Sequence, residues 1–290
     1  METMLIEMKI IRRFFMSFFP ITTLLASCAT HESLVVKTYK IESQKIKEGT
    51  QINIVLLTDL HNDIYGESQE PLVQKIKDAK PDIILLGGDI VDDKVPIKGT
   101  EILCSKIKNI APIYYVSGNH EYMSNNIETI YSTLQSYGII ILSDTFVELE
   151  LAQNKIVLCG IEDIYRKTYY DKSYNINSTK QIIKDAAGFN EFKILFIHRP
   201  ERAVLYKNYG YDLMLCGHAH GGQLRIKGIL DNGLYAPGQG FFPAYTGGHY
   251  TFDKSRRHTN LIVSAGLTTK RPGFMRMGNP PEIVVIQISR

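Results

Sequence analysis

Five of the eight histidines in this chain of 290 residues fall inside short blocks of metal-ligating residue types. The blocks are Asp59-Leu60-His61, Gly88-Asp89, Gly118-Asn119-His120-Glu121, His198-Arg199-Pro200 and Gly217-His218-Ala219-His220-Gly221. Four of them follow apolar runs that read as buried β-strands. Strand ends in an α/β sheet face a common crevice, where such folds place their ligands. A single block means little, because an Asp after a strand usually caps a helix or makes a turn. Two Asp, one Asn and several His brought to one crevice can hold two divalent cations, the arrangement that clamps a phosphoester for hydrolysis.

Each residue type suits that task. Asp59 and His61 are two apart just past a strand, so both can bend toward one ion. Asp89 follows two glycines, which permit a tight turn and a close approach, and its two carboxylate oxygens can bridge two cations. Asn119 offers a neutral amide oxygen to a hard cation, and His198, His218 and His220 offer nitrogens favoured by Zn, Fe and Mn. Asp63, Asp92, Asp93, Glu121 and Asp163 lie near the blocks and read as caps, turns or residues that orient the ligands. His31, His249 and His258 match no block and read as surface or loop residues. Arg276 reads chiefly as a loop residue, with a reach toward a phosphate as the alternative.

The apolar runs also order the fold. Strands are expected at 34–41, 53–58, 82–86 and 112–116, alternating with helices at 71–79, 101–110 and 125–137, the last ending at Gly138. Alternating βα units imply right-handed crossovers and a largely parallel sheet. The second half is richer in strands, at 139–142, 145–151, 155–160, 192–197, 211–216, 222–226, 259–264 and 282–288. Helices are expected at 178–188 and 201–208. Residues 228–257, full of Gly and aromatic residues, read as a long functional loop.

The hydrophobic share of 44 % and charged share of 22 % are those of a globular chain. The formal charge of +3 is scattered, too little to argue for nucleic acid. Residues 1–27 read as a lipoprotein-type signal peptide. Lys9, Arg12 and Arg13 form its basic start, and Phe14 to Ala26 its short apolar stretch, well under the roughly 20 residues of a membrane span. Leu25-Ala26-Ser27-Cys28 resembles a bacterial lipobox, whose Cys becomes the lipid-modified first residue. An ordinary signal peptide and a short membrane anchor are the alternatives, and Arg12-Arg13-Phe14-Phe15 loosely resembles a twin-arginine signal. Residues 28–50 then form a tether and entry strand, and 51–290 the domain. No CxxC spacing occurs, so no disulfide framework is expected. The expected protein is exported, held at the extracytoplasmic face of a membrane through lipidated Cys28, and monomeric.

The blocks, in this order and spacing, resemble the calcineurin-like metallophosphoesterase superfamily. Thr58-Asp59-Leu60-His61, His218-Ala219-His220-Gly221-Gly222-Gln223 and Asn279-Pro280-Pro281-Glu282-Ile283 resemble its bacterial YkuE/YaeI-like members. The resemblance spans about residues 34–290 and implies an α/β fold, a two-sheet α/β/β/α sandwich in a single domain. It implies two divalent metal ions, Mn, Zn or Fe. Asp59, His61 and His220 would hold the first, Asn119, His198 and His218 the second, and Asp89 would bridge them. It implies hydrolysis of phosphomonoesters or phosphodiesters by a hydroxide held between the ions, with His120 as a catalytic residue that steadies the phosphoryl oxygens or protonates the leaving group. Asn62-Asp63 stands where these proteins often carry Leu-Gly, which puts the substrate-side loop in question. The stretch 238–250 is the expected substrate-facing element. The alternatives are a lipid-linked pyrophosphate hydrolase of the UDP-diacylglucosamine type, which export argues against, and a non-catalytic surface-binding lipoprotein with a structural metal core.

Overall fold

Alternate residues of each central strand bury opposite faces, and this sets the layering. The computed structural model describes residues 33–254, 257–268 and 276–290. The leader, Cys28 and His31 lie outside them. Leu34–Arg290 forms one compact unit.

One sheet has six strands, in the order β1 (Val35–Glu42), β14 (Glu282–Ser289), β2 (Gln51–Leu57), β3 (Ile83–Gly87), β4 (Ile113–Val116) and β5 (Ile140–Ile141). The second also has six, in the order β12 (Gly248–Lys254), β13 (Arg257–Val263), β9 (Leu213–Cys216), β8 (Phe192–Ile197), β7 (Asn154–Ile161) and β6 (Thr145–Leu151). Strands β2 to β5 run parallel, as do β7, β8, β9 and β13. Ile54, Leu56, Leu85, Leu158, Ile194, Phe196 and Leu215 pack between the sheets. Val55, Leu57, Ile84 and Leu86 face the other way, onto Leu72, Ile76, Leu103, Ile107, Ile130 and Leu134. Those residues belong to helices α1 (Glu70–Asp78), α2 (Lys98–Ile107) and α4 (Ile127–Ser136). On the far side Val157, Leu195 and Met214 meet Ile183 and Ala186 of α5 (Ile176–Ala187). The layers are helix, sheet, sheet, helix. Apolar residues on both faces of the central strands are what parallel strands buried between two layers require.

Most expected elements are present with shifted ends. The helix expected at 201–208 is a short helix, Pro200–Ala203, followed by a 3₁₀ turn, Val204–Tyr206. An unexpected π-helical turn spans Arg166–Tyr170. Three further segments differ. Residues 222–226 are not a strand: His220–Gly222 is a 3₁₀ turn and Leu224 makes a single bridge to Met277. The glycines there, at φ of 61° and 75°, bend the chain away from any ladder. The long loop expected at 228–257 carries the small hairpin β10 (Tyr235–Ala236) and β11 (Gly240–Phe241), then the edge strand β12. A short helix α3 (Asn119–Met123) begins inside the third block. Cys104, Cys159 and Cys216 are buried and form no disulfide.

Phe196 is fully buried between the sheets. Phe196→Ala should cost about 3–5 kcal/mol, the usual range for emptying such a site, read as a lowered urea midpoint with an unchanged slope.

Candidate metal centre

The strand ends deliver the blocks to one crevice. Asp59 follows β2, Asp89 follows β3 and Asn119 follows β4, while His198 follows β8 and His218 and His220 follow β9. None of these side chains, nor His61, is more than 7 % exposed. Asp59, His61, Asp89 and His220 place ligand atoms within 4.8 Å of one another, and Asp89, His198 and His218 do the same. Asp89 belongs to both sets. Its Oδ2 lies 3.3 Å from His198 Nε2 and 3.8 Å from His61 Nε2. Asp59 Oδ1 lies 3.7 Å from His220 Nε2.

Local backbone geometry turns these side chains inward. Asp59, His61, Asp89, His218 and His220 all have positive φ, between 46° and 66°. Residues other than Gly rarely adopt that region, and strain of this kind concentrates at functional sites. Gly118 leaves room for the turn: a Cβ there would sit 2.3 Å from Asp89 Oδ1. Gly266 does the same on the other side, where a Cβ would come within 2.7 Å of that of Asp59.

Hydrogen bonds fix which atom of each ring faces the crevice. His198 Nδ1 bonds the Gly87 carbonyl at 2.7 Å, and His61 Nδ1 contacts Asp92 at 3.0 Å. Anchoring one ring nitrogen presents the other as a ligand. His120 is held through Nδ1 by Asp93, while its backbone N–H donates to Asp89 Oδ1 at 2.8 Å. Arg199 is fixed by Asp163 at 2.6 Å and lies 2.9 Å from His218 Nε2. Burial, then the Arg199 charge, holds His218 well below the usual imidazole range.

The donor set fits divalent cations on a direct test. Asn119 Oδ1 and His218 Nδ1 are buried without a hydrogen-bond partner among the described residues, and His198 Nε2 meets the Asp89 carboxylate at 3.3 Å. They are one atom from each residue expected at the second cation. Buried polar atoms of native proteins are seldom left unpaired, and a site built for an ion is one accepted reason. Two buried carboxylates amid imidazoles also call for added positive charge.

Glu121 is the residue whose importance the sequence understated. It belongs to neither ligand set, and the sequence leaves it as a cap, a turn or a residue that orients the ligands. Its carboxylate accepts from the N–H groups of Asp89, Ile90, Val91 and Gly118 at 2.8–3.0 Å. It thus ties the Asp89 loop to the Asn119 loop. Burial, then the neighbouring Asp89 charge, pushes its carboxyl up to about 7 against those amides. Asn279, far along the chain, donates to the carbonyls of His220 (2.7 Å) and Gln223 (3.2 Å) and fixes the fifth block. Among residues read as bystanders, Asp63 accepts from Thr268, while His249 contacts Asn260 and His258 contacts Asp253 on the surface. Arg276 spends its guanidinium on the carbonyls of Thr268, Asn279 and Pro280, which makes it a brace for the C-terminal loop.

Glu121→Gln would turn an amide NH₂ toward amide donors. It should destabilise the fold by about 1–3 kcal/mol or more and lower the metal content of the purified protein, read by thermal melting and elemental analysis. Full metal content at unchanged stability would remove Glu121 from this role.

Residues 52–222 match the family described as Calcineurin-like phosphoesterase. An uncharacterized metallophosphoesterase of Bacillus subtilis, YkoQ, is 31 % identical over 82 % of this chain and 84 % of its own length. Another, from Aquifex aeolicus, is 28 % identical over 88 % of this chain and 92 % of its own length. The solved structure of the NAD nucleotidase of Haemophilus influenzae superposes on 76 % of this chain and 46 % of that one, with a TM-score of 0.52 at 16 % identity, a likeness of fold alone. By its sequence match, its two-sheet fold and its buried Asp/His cluster, the chain belongs to the calcineurin-like phosphoesterase family.

Proposed function

We propose that this protein is a dinuclear metal-dependent hydrolase of phosphomonoesters or phosphodiesters, exported and tethered to a membrane surface through a lipidated Cys28. The observation that carries the catalytic reading is the pair of ligand sets sharing Asp89, with Asn119 Oδ1 and His218 Nδ1 buried without a hydrogen-bond partner among the described residues. Asp59, His61 and His220 would hold one cation, Asn119, His198 and His218 the other, and Asp89 would touch both. Bound there, two divalent cations supply Lewis acidity and bring the pKa of a water toward neutrality.

The chain's own residues do the rest. Asp92 on His61, and the Gly87 carbonyl on His198, keep two imidazoles turned so that a nitrogen faces Asp89. His120 differs from the ligands. Its backbone is pinned to Asp89 and its Nδ1 is anchored by Asp93, so the ring stands at the edge of the site, 4.7 Å from the His61 ring. A carboxylate on Nδ1 fixes the ring so that Nε2 can meet a phosphoryl oxygen or a departing alkoxide. The burial of the ligands keeps bulk water from screening these charges.

The tether rests on the basic start, short apolar stretch and Leu25-Ala26-Ser27-Cys28 of the leader. Among the described residues no helix is long and apolar enough to cross a membrane.

Elemental analysis should find up to two divalent ions per chain. Asp89→Asn should remove most of both the ions and the phosphoesterase rate. His120→Ala should keep the ions and slow turnover by roughly 10²–10⁴, the range of acid–base assistance. Full activity in metal-free protein, or no hydrolysis of any phosphoester by the loaded one, would overturn the catalytic reading.

The intact mass of detergent-extracted protein should show a diacylglyceryl group on an N-terminal Cys28, and Cys28→Ala should release the protein from membranes. An unmodified Cys28 would sink the tether.

A further inference from the structure

The fold brings the start of the described chain to the metal-centre end of the sheets. Strand β1 runs parallel to β14, with Val35 opposite Glu282. Strand β14 runs antiparallel to β2, with Val284 opposite Leu56. Val35 therefore lies at the end of the sheet from which Asp59 emerges. Direct bonds agree: Val35 N–H donates to the Pro281 carbonyl at 3.0 Å, Glu282 N–H to Gly266 and Thr268 N–H to Asp59. Seven residue steps separate Val35 from Cys28, a reach of at most about 25 Å.

The same end carries a rim of exposed apolar side chains. Ile229 is 77 % exposed, Phe241 63 % and Phe242 72 %. All three lie on the excursion that leaves the fifth block after Gly222 and is pinned back to it by Leu234 N–H on the Gly222 carbonyl. Ile64 and Val95, also exposed, lie on the loops that follow the Asp59 and Asp89 blocks. Phe242 has a φ of 54°, a conformation an aromatic residue seldom takes, and in it the ring is left largely in water. Scattered apolar residues at a surface need no explanation, but several gathered on one end do. Between residues 222 and 250 the chain carries Arg225 and Lys227 against Asp231 alone, whereas the loops of Ile64 and Val95 add Asp63, Glu67, Asp92 and Asp93 beside Lys94.

We propose that this rim is a membrane-docking surface: Ile229, Phe241 and Phe242 enter the headgroup–acyl boundary of a bilayer and turn the metal centre toward the lipid. This rests on the tether proposed above, which fixes the occupant as the membrane to which Cys28 is bound. A short tether at one end keeps that end against the bilayer. Exposed aromatic and branched apolar side chains are what such a boundary accepts, to a depth of about 5–10 Å. Substrates embedded in or lying on that bilayer would then be reached without leaving it.

The chain contains no tryptophan, so one introduced indole reports without background. The mature protein carrying Phe242→Trp is reconstituted on phosphatidylethanolamine–phosphatidylglycerol vesicles, with plain lipids or with lipids brominated high on the acyl chain. The expected result is a blue-shifted emission that the bromines quench. Phe189→Trp, just before β8 at the opposite end of the sheet, should not be quenched. Equal emission of the Phe242→Trp protein in plain and brominated vesicles, or a blue shift that follows protein concentration without lipid and so marks self-association, would overturn the proposal. Intact mass reads the tether separately. If Cys28 proves unmodified, the same vesicles added to the soluble variant test the rim by itself: quenching there supports it, and its absence overturns it.

Discussion

Everything around the crevice follows from burying Asp59 and Asp89 together. Two carboxylates out of water repel each other and lose hydration, and that costs several kcal/mol per ion even after relaxation. The structure answers with cation ligands rather than with lysines. Four imidazoles converge on the acids, and Asn119 Oδ1 and His218 Nδ1 are buried without a hydrogen-bond partner among the described residues. The backbone yields to this demand: five ligands sit in the left-handed region, and Gly118 and Gly266 stand where a side chain would strike a carboxylate or its stem. The two sheets divide the task. The first supplies both carboxylates, Asn119 and His61; the second supplies the remaining imidazoles.

Rigidity comes from groups behind the ligands. Asp92 and Asp93 are neighbours in sequence, yet one orients His61, in the ligand cluster, and the other His120, at its edge. One loop thereby couples the residue suited to acid–base work to the cation site beside it. Glu121 closes the arrangement from beneath by collecting four amides that belong to no helix or ladder. Buried amides must find partners, and a single carboxylate supplies them for two ligand-bearing loops at once.

Much of this was legible in the sequence because it is local. Runs such as Ile83–Leu86 are apolar throughout, as strands covered on both faces must be, and a ligand block directly after each one marks a strand end. What stayed hidden depends on distant partners. Glu121 is three residues from Gly118 and reads as a cap until the Asp89 loop folds over it. Asn279 lies 59 residues beyond His220, and nothing in its own segment shows that it will bond that carbonyl. Strand β12 is missed because its glycines and aromatics lack a clear alternation. It becomes a strand by pairing with β13, from Gly248 against Val263 to Lys254 against Arg257. The turn at His220–Gly222 errs the other way, since Gln223 to Ile226 has the composition of a strand but, among the described residues, no neighbour to continue the ladder.

The three cysteines of the domain bear on the proposed life outside the cytoplasm. Cys104 lies in α2 under the first sheet, and Cys159 and Cys216 lie in β7 and β9. Burial pushes the first two thiols up to about 12 and the third well above its ordinary value. A thiol reacts as its thiolate, so the native protein offers oxidants almost nothing to attack. The unfolded chain would expose all three. In an oxidising compartment, each opening of the fold would therefore be an opportunity for crosslinking, and the lifetime of the protein there would be set by how seldom its core opens.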